Sequence, residues 1–102
     1  MAAQPIDHID GEGRGIYFVG NPSGGEPRYL AEMTYEWRDG VMAILHTGVR
    51  EALQGQGVAG QLLARAVADA RAAGVKILPL CSYVRGKFDK DPDTYADVDA
   101  RA

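Results

Sequence analysis

From Arg50 the chain reads Arg-Glu-Ala-Leu-Gln-Gly-Gln-Gly-Val, and a third glycine follows at Gly60. The helical apolar pattern that begins at Val58 has no Ser, Thr, Asp or Asn ahead of it, so its first amides meet no side-chain oxygen. Successive unhindered N–H groups at the positive end of a helix suit an anion, above all a phosphate or pyrophosphate. The alternative is a glycine-rich turn that merely lets the helix pack closely. Two further side chains carry chemistry. His46, with an unperturbed pKa of about 6.5, suits a general base or is a histidine satisfied on a sheet face. Cys81, the single cysteine, could take an acyl group, donate a proton or fill space as a small hydrophobe. Tyr83 is another proton-donor candidate.

Other site chemistries fit less well. Gly55, Gly57 and Gly60 satisfy the dinucleotide spacing, but a polar segment separates them from the preceding strand and no acidic residue stands about 20 positions later. A Walker loop would need Gly-Lys-Ser/Thr, which is absent. His8 and His46 are far apart in sequence and one cysteine cannot make a zinc spacing, so no metal is expected. Glu32, Glu36, Asp89, Asp91 and Asp93 either draw a basic acceptor or form a solvated face.

These residues need elements to hold them. Residues 15–19 are β-prone and the turn-rich segment 21–27 follows, while Ile6 and Ile9 could extend this first strand into an otherwise open stretch. From Tyr29 to Trp37 apolar and polar residues alternate, Asp39-Gly40 fits a two-residue hairpin, and Val41 to Leu45 resumes as an apolar strand running on to Val49. Val58, Leu62, Leu63, Ala66, Val67, Ala70 and Ala73 predict a helix of about four turns, with Gly74 just past its end. Residues 75–80 read as a buried strand, and a short helix carrying Val84 and Phe88 is closed by Pro92. Tyr95 and Val98 anchor the remainder. The order predicts a mixed α/β layer with a mostly antiparallel sheet and a central strand–helix–strand unit.

Composition bounds the rest. A chain of 102 residues, 46% apolar and 25% charged, makes one domain with one core, taken here as residues 1–102. Eleven basic against 14 acidic side chains give a net charge of -3, without the basic stripe of a nucleic-acid binder. No run of about 18 apolar residues marks a membrane span, and no basic segment leads into an apolar core near Met1. With one cysteine and hence no internal disulfide, a cytoplasmic protein is expected.

Gln54-x-x-Gly57-x-Ala59 resembles the Gln/Arg-x-x-Gly-x-Gly/Ala signature of the GNAT acyltransferase superfamily. Asp39-Gly40, His46-Thr47 ahead of the loop and Leu80-Cys81 closing the next strand sharpen the likeness to compact, single-domain GNAT-like proteins, from about Tyr29 to Val98. The resemblance implies an acetyl-coenzyme A-dependent N-acyltransferase acting on a primary amine, such as one on a protein or peptide. A non-catalytic coenzyme A-binding module and a partner-binding domain are its alternatives. By resemblance Gln54, Gly55, Gln56, Gly57, Val58, Ala59 and Gly60 surround the pyrophosphate of the coenzyme, and Thr47, Gly48 and Val49 offer main-chain groups to its pantetheine arm. A backbone N–H near Gly48 or Val49 serves as oxyanion donor, Cys81 lies near the coenzyme's sulfur, and Tyr83 belongs to the coenzyme pocket wall after Cys81. Gln56 stands where compact relatives often carry a base, Ser82-Tyr83 where they show Pro and Phe, and the early helices that cover the acceptor in larger members are absent.

Overall fold

A computed structural model describes residues 4–102 of the chain. Asp39 and Gly40 take the positive φ angles, 50° and 77°, that a tight hairpin needs, and they join β3 (Tyr29–Arg38) to β4 (Val41–Val49) in antiparallel register. Glu12 and Gly13, at 52° and 83°, do the same between β1 (Asp7–Gly11) and β2 (Arg14–Gly20). Helix α1 (Val58–Ala73) then carries the chain back to β5 (Ile77–Pro79), which pairs parallel to β4. Spatial order follows chain order, β1 to β5. Helices α2 (Ser82–Lys90) and α3 (Pro92–Tyr95) follow. The expected mixed α/β architecture is therefore the one found.

The alternation read in β3 buries Ala31, Met33 and Tyr35 on one face, with Tyr17 and Val19 of β2 and Met42 and Ile44 of β4. Onto that face α1 lays Val58, Leu62, Leu63, Ala66, Val67 and Ala70, its alanines letting the backbone approach. Three details depart from expectation. The segment before residue 12 forms its own edge strand rather than extending the next one, and all five of its residues are exposed, so no apolar rhythm announces it. Pro92 opens α3 instead of only closing α2, since its fixed φ suits a first helical position. β5 is short, and its Ile77 also bonds to the following chain, donating to Val98 (2.6 Å) and accepting from Ala100 (2.8 Å).

What holds β1 is a polar cluster rather than apolar burial. The Tyr17 phenol donates to Asp69 of α1 (2.8 Å), while Tyr35 and Trp37 (2.8 Å) both donate to Asp10. Because the Tyr35 hydrogen goes to a carboxylate, His8 Nε2, 2.7 Å from the same phenol oxygen, must be the donor there. The His8 ring stacks on Tyr17 with centroids 4.1 Å apart. Burial first, then the neighbouring carboxylates, push both phenols far above their usual range. The hydrogen bonds from Tyr35 and Trp37 hold Asp10 below the usual carboxylate range. The Tyr35 ring reaches Asp10 only because residue 15 is glycine: a Cβ there would collide with the Tyr35 phenol.

Gly15→Ala should therefore lower stability by about 1–3 kcal/mol through overpacking, read from the urea midpoint. Gly86→Ala, in the exposed middle of α2 where a Cβ meets nothing within 4 Å, should raise it by up to ~1 kcal/mol. Asp10 titrates lower folded than unfolded, so its contribution is present above about pH 4 and is lost as pH falls through the lowered value. Asp10→Asn should accordingly flatten the acid limb of a stability–pH curve.

Candidate functional site

β4 carries a bulge. Thr34 pairs with His46 but Tyr35 pairs with Ile44, leaving Leu45 without a partner across the ladder. On the other edge, parallel pairing with β5 stops at Ile44 and Pro79. The amides of Leu80 (3.1 Å) and Cys81 (2.9 Å) then converge on the one carbonyl of Ile44. Beyond that point β4 runs on to Val49 while the other chain turns into α2, so a gap opens between them. Across it the Cys81 thiol, 7% exposed, donates to the Thr47 hydroxyl at 3.3 Å.

Strand alternation decides which main-chain groups face this gap. Arg50 donates its amide to Leu30 of β3 (2.8 Å), so Gly48 also points toward β3, whereas Thr47 and Val49 point away, into the gap. Of the two expected oxyanion positions, Val49 is thus the one turned to the opening. Its carbonyl accepts the side-chain amide of Gln54 at 3.1 Å. Gln54 thereby braces the loop that follows; the resemblance had marked it for the pyrophosphate, and no residue pattern signals this brace.

The loop itself is open. Gly55 (φ 79°) and Gly57 (φ 73°) hold left-handed conformations that favour glycine, and an added Cβ at either meets nothing within 4 Å. Gly57 caps α1 with no side-chain bond, and the first turn carries no acidic residue. Among the described residues, the amides of Gly55, Gln56, Gly57, Val58, Ala59 and Gly60 donate to no protein acceptor. Main-chain donors without protein acceptors at a helix N-terminus, beside the open Gly55 and Gly57 positions, form a cradle for an anion. One wall is Tyr83 of α2, whose phenol oxygen lies 3.8 Å from where a Gly60 Cβ would be; burial raises its pKa.

The structure brings Thr47 to Cys81 and Tyr83 to Gly60. It does not bring His46 to Cys81. With Thr47 turned to the thiol, its neighbour His46 points to the opposite side of β4, opposite Thr34 and exposed, and its Nε2 lies 3.0 Å from where a Gly48 Cβ would stand. The absent side chain at position 48 is what lets the ring lie along the strand. The Leu45 bulge went unread because it leaves no residue-type signature; an apolar run that ends on a 40% exposed leucine is its trace in the structure. Among the described residues no group of three or more His, Cys, Asp or Glu side chains is placed to hold a metal ion, and no helix is long and apolar enough to cross a membrane.

A family model described as GCN5-related N-acetyl-transferase matches residues 18–98. The chain belongs to the GCN5-related N-acetyltransferase family. The solution structure of a GCN5-like protein from Staphylococcus aureus, provisionally described as an N-acetyltransferase, is 36% identical. It superposes with a TM-score of 0.69 over 96% of this chain and 89% of that one. A crystal structure of a GNAT-family protein from Desulfovibrio desulfuricans, provisionally described as an acetyltransferase, is 20% identical with a TM-score of 0.49, over 64% of this chain and 41% of that one. No curated protein matches the chain. This acetyltransferase is thus an acyltransferase of a family whose cosubstrate is acetyl-coenzyme A.

In the acetyltransferase, Gly48→Ala should displace the His46 ring, seen as a shift of its ring-proton resonances. Stability should change by less than about 0.5 kcal/mol, because the crowding atom is the movable end of a side chain.

Proposed function

We propose that the chain binds acetyl-coenzyme A with its pyrophosphate on the cradle of residues 54–60 and its thioester in the gap between β4 and β5, and transfers the acetyl group to a primary amine, such as one carried on a protein or peptide. The observation that carries this reading is the run of six unpartnered amides from Gly55 to Gly60 beside the gap that opens past Ile44. Thr47 and Val49 offer main-chain groups to the pantetheine arm, while Gly48 turns its own toward β3 and leaves room for the His46 ring.

Transfer is a direct attack. The neutral amine nitrogen adds to the thioester carbonyl, and a main-chain N–H turned into the gap, that of Val49, receives the developing oxyanion, an interaction worth on the order of 10²–10³ in rate. The C–S bond then breaks. The departing thiolate takes a proton and the new amide nitrogen loses one, so the step is proton-neutral overall. His46, on the side of β4 away from the coenzyme-facing thiol, serves as base for the incoming amine. Cys81, its S–H held by Thr47, is the proton donor, since transfer between two like sulfurs is nearly balanced. Tyr83, whose phenol burial makes a weaker acid, keeps its proton and walls the cradle beside Gly60.

A calorimetric titration with acetyl-coenzyme A and with free coenzyme A should saturate, and hydrogen exchange should slow at residues 55–60 when the ligand is bound. Gly57→Val should abolish this binding while circular dichroism shows the fold retained; no binding at millimolar ligand sinks the assignment. His46→Ala and Cys81→Ala should each lower kcat by about 10²-fold or more with acetyl-coenzyme A affinity unchanged.

A further inference from the structure

The sheet face opposite α1 holds a groove of about 620 Å3 that begins at the Leu45 bulge and ends at the Glu12-Gly13 turn. Its floor is apolar, made by Ile9, Ile16 and Leu45. Two of these side chains, Ile9 at 56% and Leu45 at 40%, are among the most exposed large hydrophobics described. Three charged residues line the groove: Glu12, Arg14 and Glu36. Glu36 is engaged by Arg38, whose Nε lies 2.5 Å from its carboxylate. Among the described residues, the Glu12 and Arg14 side chains make neither a hydrogen bond nor an ion pair with the protein. One end of the groove thus presents a free carboxylate and a free guanidinium together, and the other opens at the residue beside the proposed reaction centre.

Glu12 is also a poor choice for its own backbone. At φ 52° it occupies the left-handed region, where Asn, Asp and Gly are favoured, and the equivalent position of the other hairpin is indeed Asp39. Turn formation alone does not account for a glutamate there, whereas a carboxylate needed in the groove does.

We infer that the groove takes a zwitterionic diamino acid of the lysine or ornithine type as the acetyl acceptor, a reading that rests on acyl transfer in the β4–β5 gap. The α-ammonium meets Glu12, the α-carboxylate is gripped by the Arg14 fork, and the methylene arm lies on Ile9, Ile16 and Leu45, with the terminal amine delivered to the gap. About two and a half strand spacings, roughly 12 Å, separate β2 from the middle of the β4–β5 gap. Two long charged side chains and an arm of three or four methylenes cover that span together. A charged head at one end and a buried aliphatic arm also explain why an otherwise uncovered sheet face keeps both apolar and oppositely charged residues.

The test has a binding arm and a turnover arm. Amide shifts are followed in protein saturated with coenzyme A during titration with L-lysine, L-ornithine, a 1,5-diamine lacking the carboxylate, and Nα-acetyl-lysine amide, which lacks both head charges. The free amino acids should perturb residues 11–16 and 34–36 saturably, and each missing head charge should weaken binding by roughly 10–100-fold. In turnover with acetyl-coenzyme A, Arg14→Gln and Glu12→Gln should raise KM for lysine by a similar factor with kcat retained. Glu12→Asn should do the same while raising the melting temperature, an opposition that a merely structural role would not produce. Equal binding and turnover of the blocked lysine, or no perturbation of the groove by any of the four, overturns the inference while leaving acyl transfer intact. Lysine that binds in the groove but is never acetylated, while another amine is, overturns its role as acceptor; no turnover of any amine overturns the transfer reading instead.

Discussion

One carbonyl governs the architecture of the site. Ile44 accepts the last two amides of the β5 side, and past it, among the described residues, the edge of β4 has no strand beside it. Backbone groups left without partners are costly if buried, so an edge of this kind persists only where solvent or a ligand reaches it. The bulge at Leu45 sits at the same level and changes the phase of β4, so that Thr47 faces Cys81 and His46 faces the other way. The loop and helix that follow are delivered to the gap by the same strand. Pairing, phase and loop placement are consequences of where the parallel ladder stops.

The two sides of β4 consequently have different characters. On one, a buried thiol, a hydroxyl and unpartnered amides surround space suited to a long anionic ligand. On the other, an exposed imidazole adjoins a groove with an apolar floor and charges of both signs. Direct transfer between two bound molecules needs such a division, because the reacting atoms must meet without the binding surfaces overlapping. A single strand with one extra residue separates them.

Where local periodicity carries information, the chain is readable. The alternation of 29–37, the Asp39-Gly40 turn and the apolar stripe of 58–73 each correspond to an element at the expected place. The glycine loop is readable for a different reason: a helix start with no capping side chain asks what does receive its amides. Three features escape such reading because their causes are remote. β1 is exposed along its whole length and is held by side chains that meet Tyr17, Tyr35 and Asp69. The bulge is neutral to residue type, and the Thr47–Cys81 contact joins positions 34 residues apart. Alternation alone placed His46 opposite Thr47; only that contact shows which of the two faces the thiol.

Trp37 is the chain's single tryptophan, and its surroundings make it an optical probe of one end of the molecule. Its indole N–H is tied to Asp10 of the edge strand (2.8 Å), and Tyr35 meets the ring edge-on with centroids 5.5 Å apart. It pairs with Met42 at the start of β4, whereas the glycine loop follows the end of that strand. Indole emission therefore reports whether the first hairpin is seated, and backbone exchange in the loop reports the opposite end. Whether the two signals change together under denaturant distinguishes cooperative unfolding of the whole sheet from the release of its first strand alone.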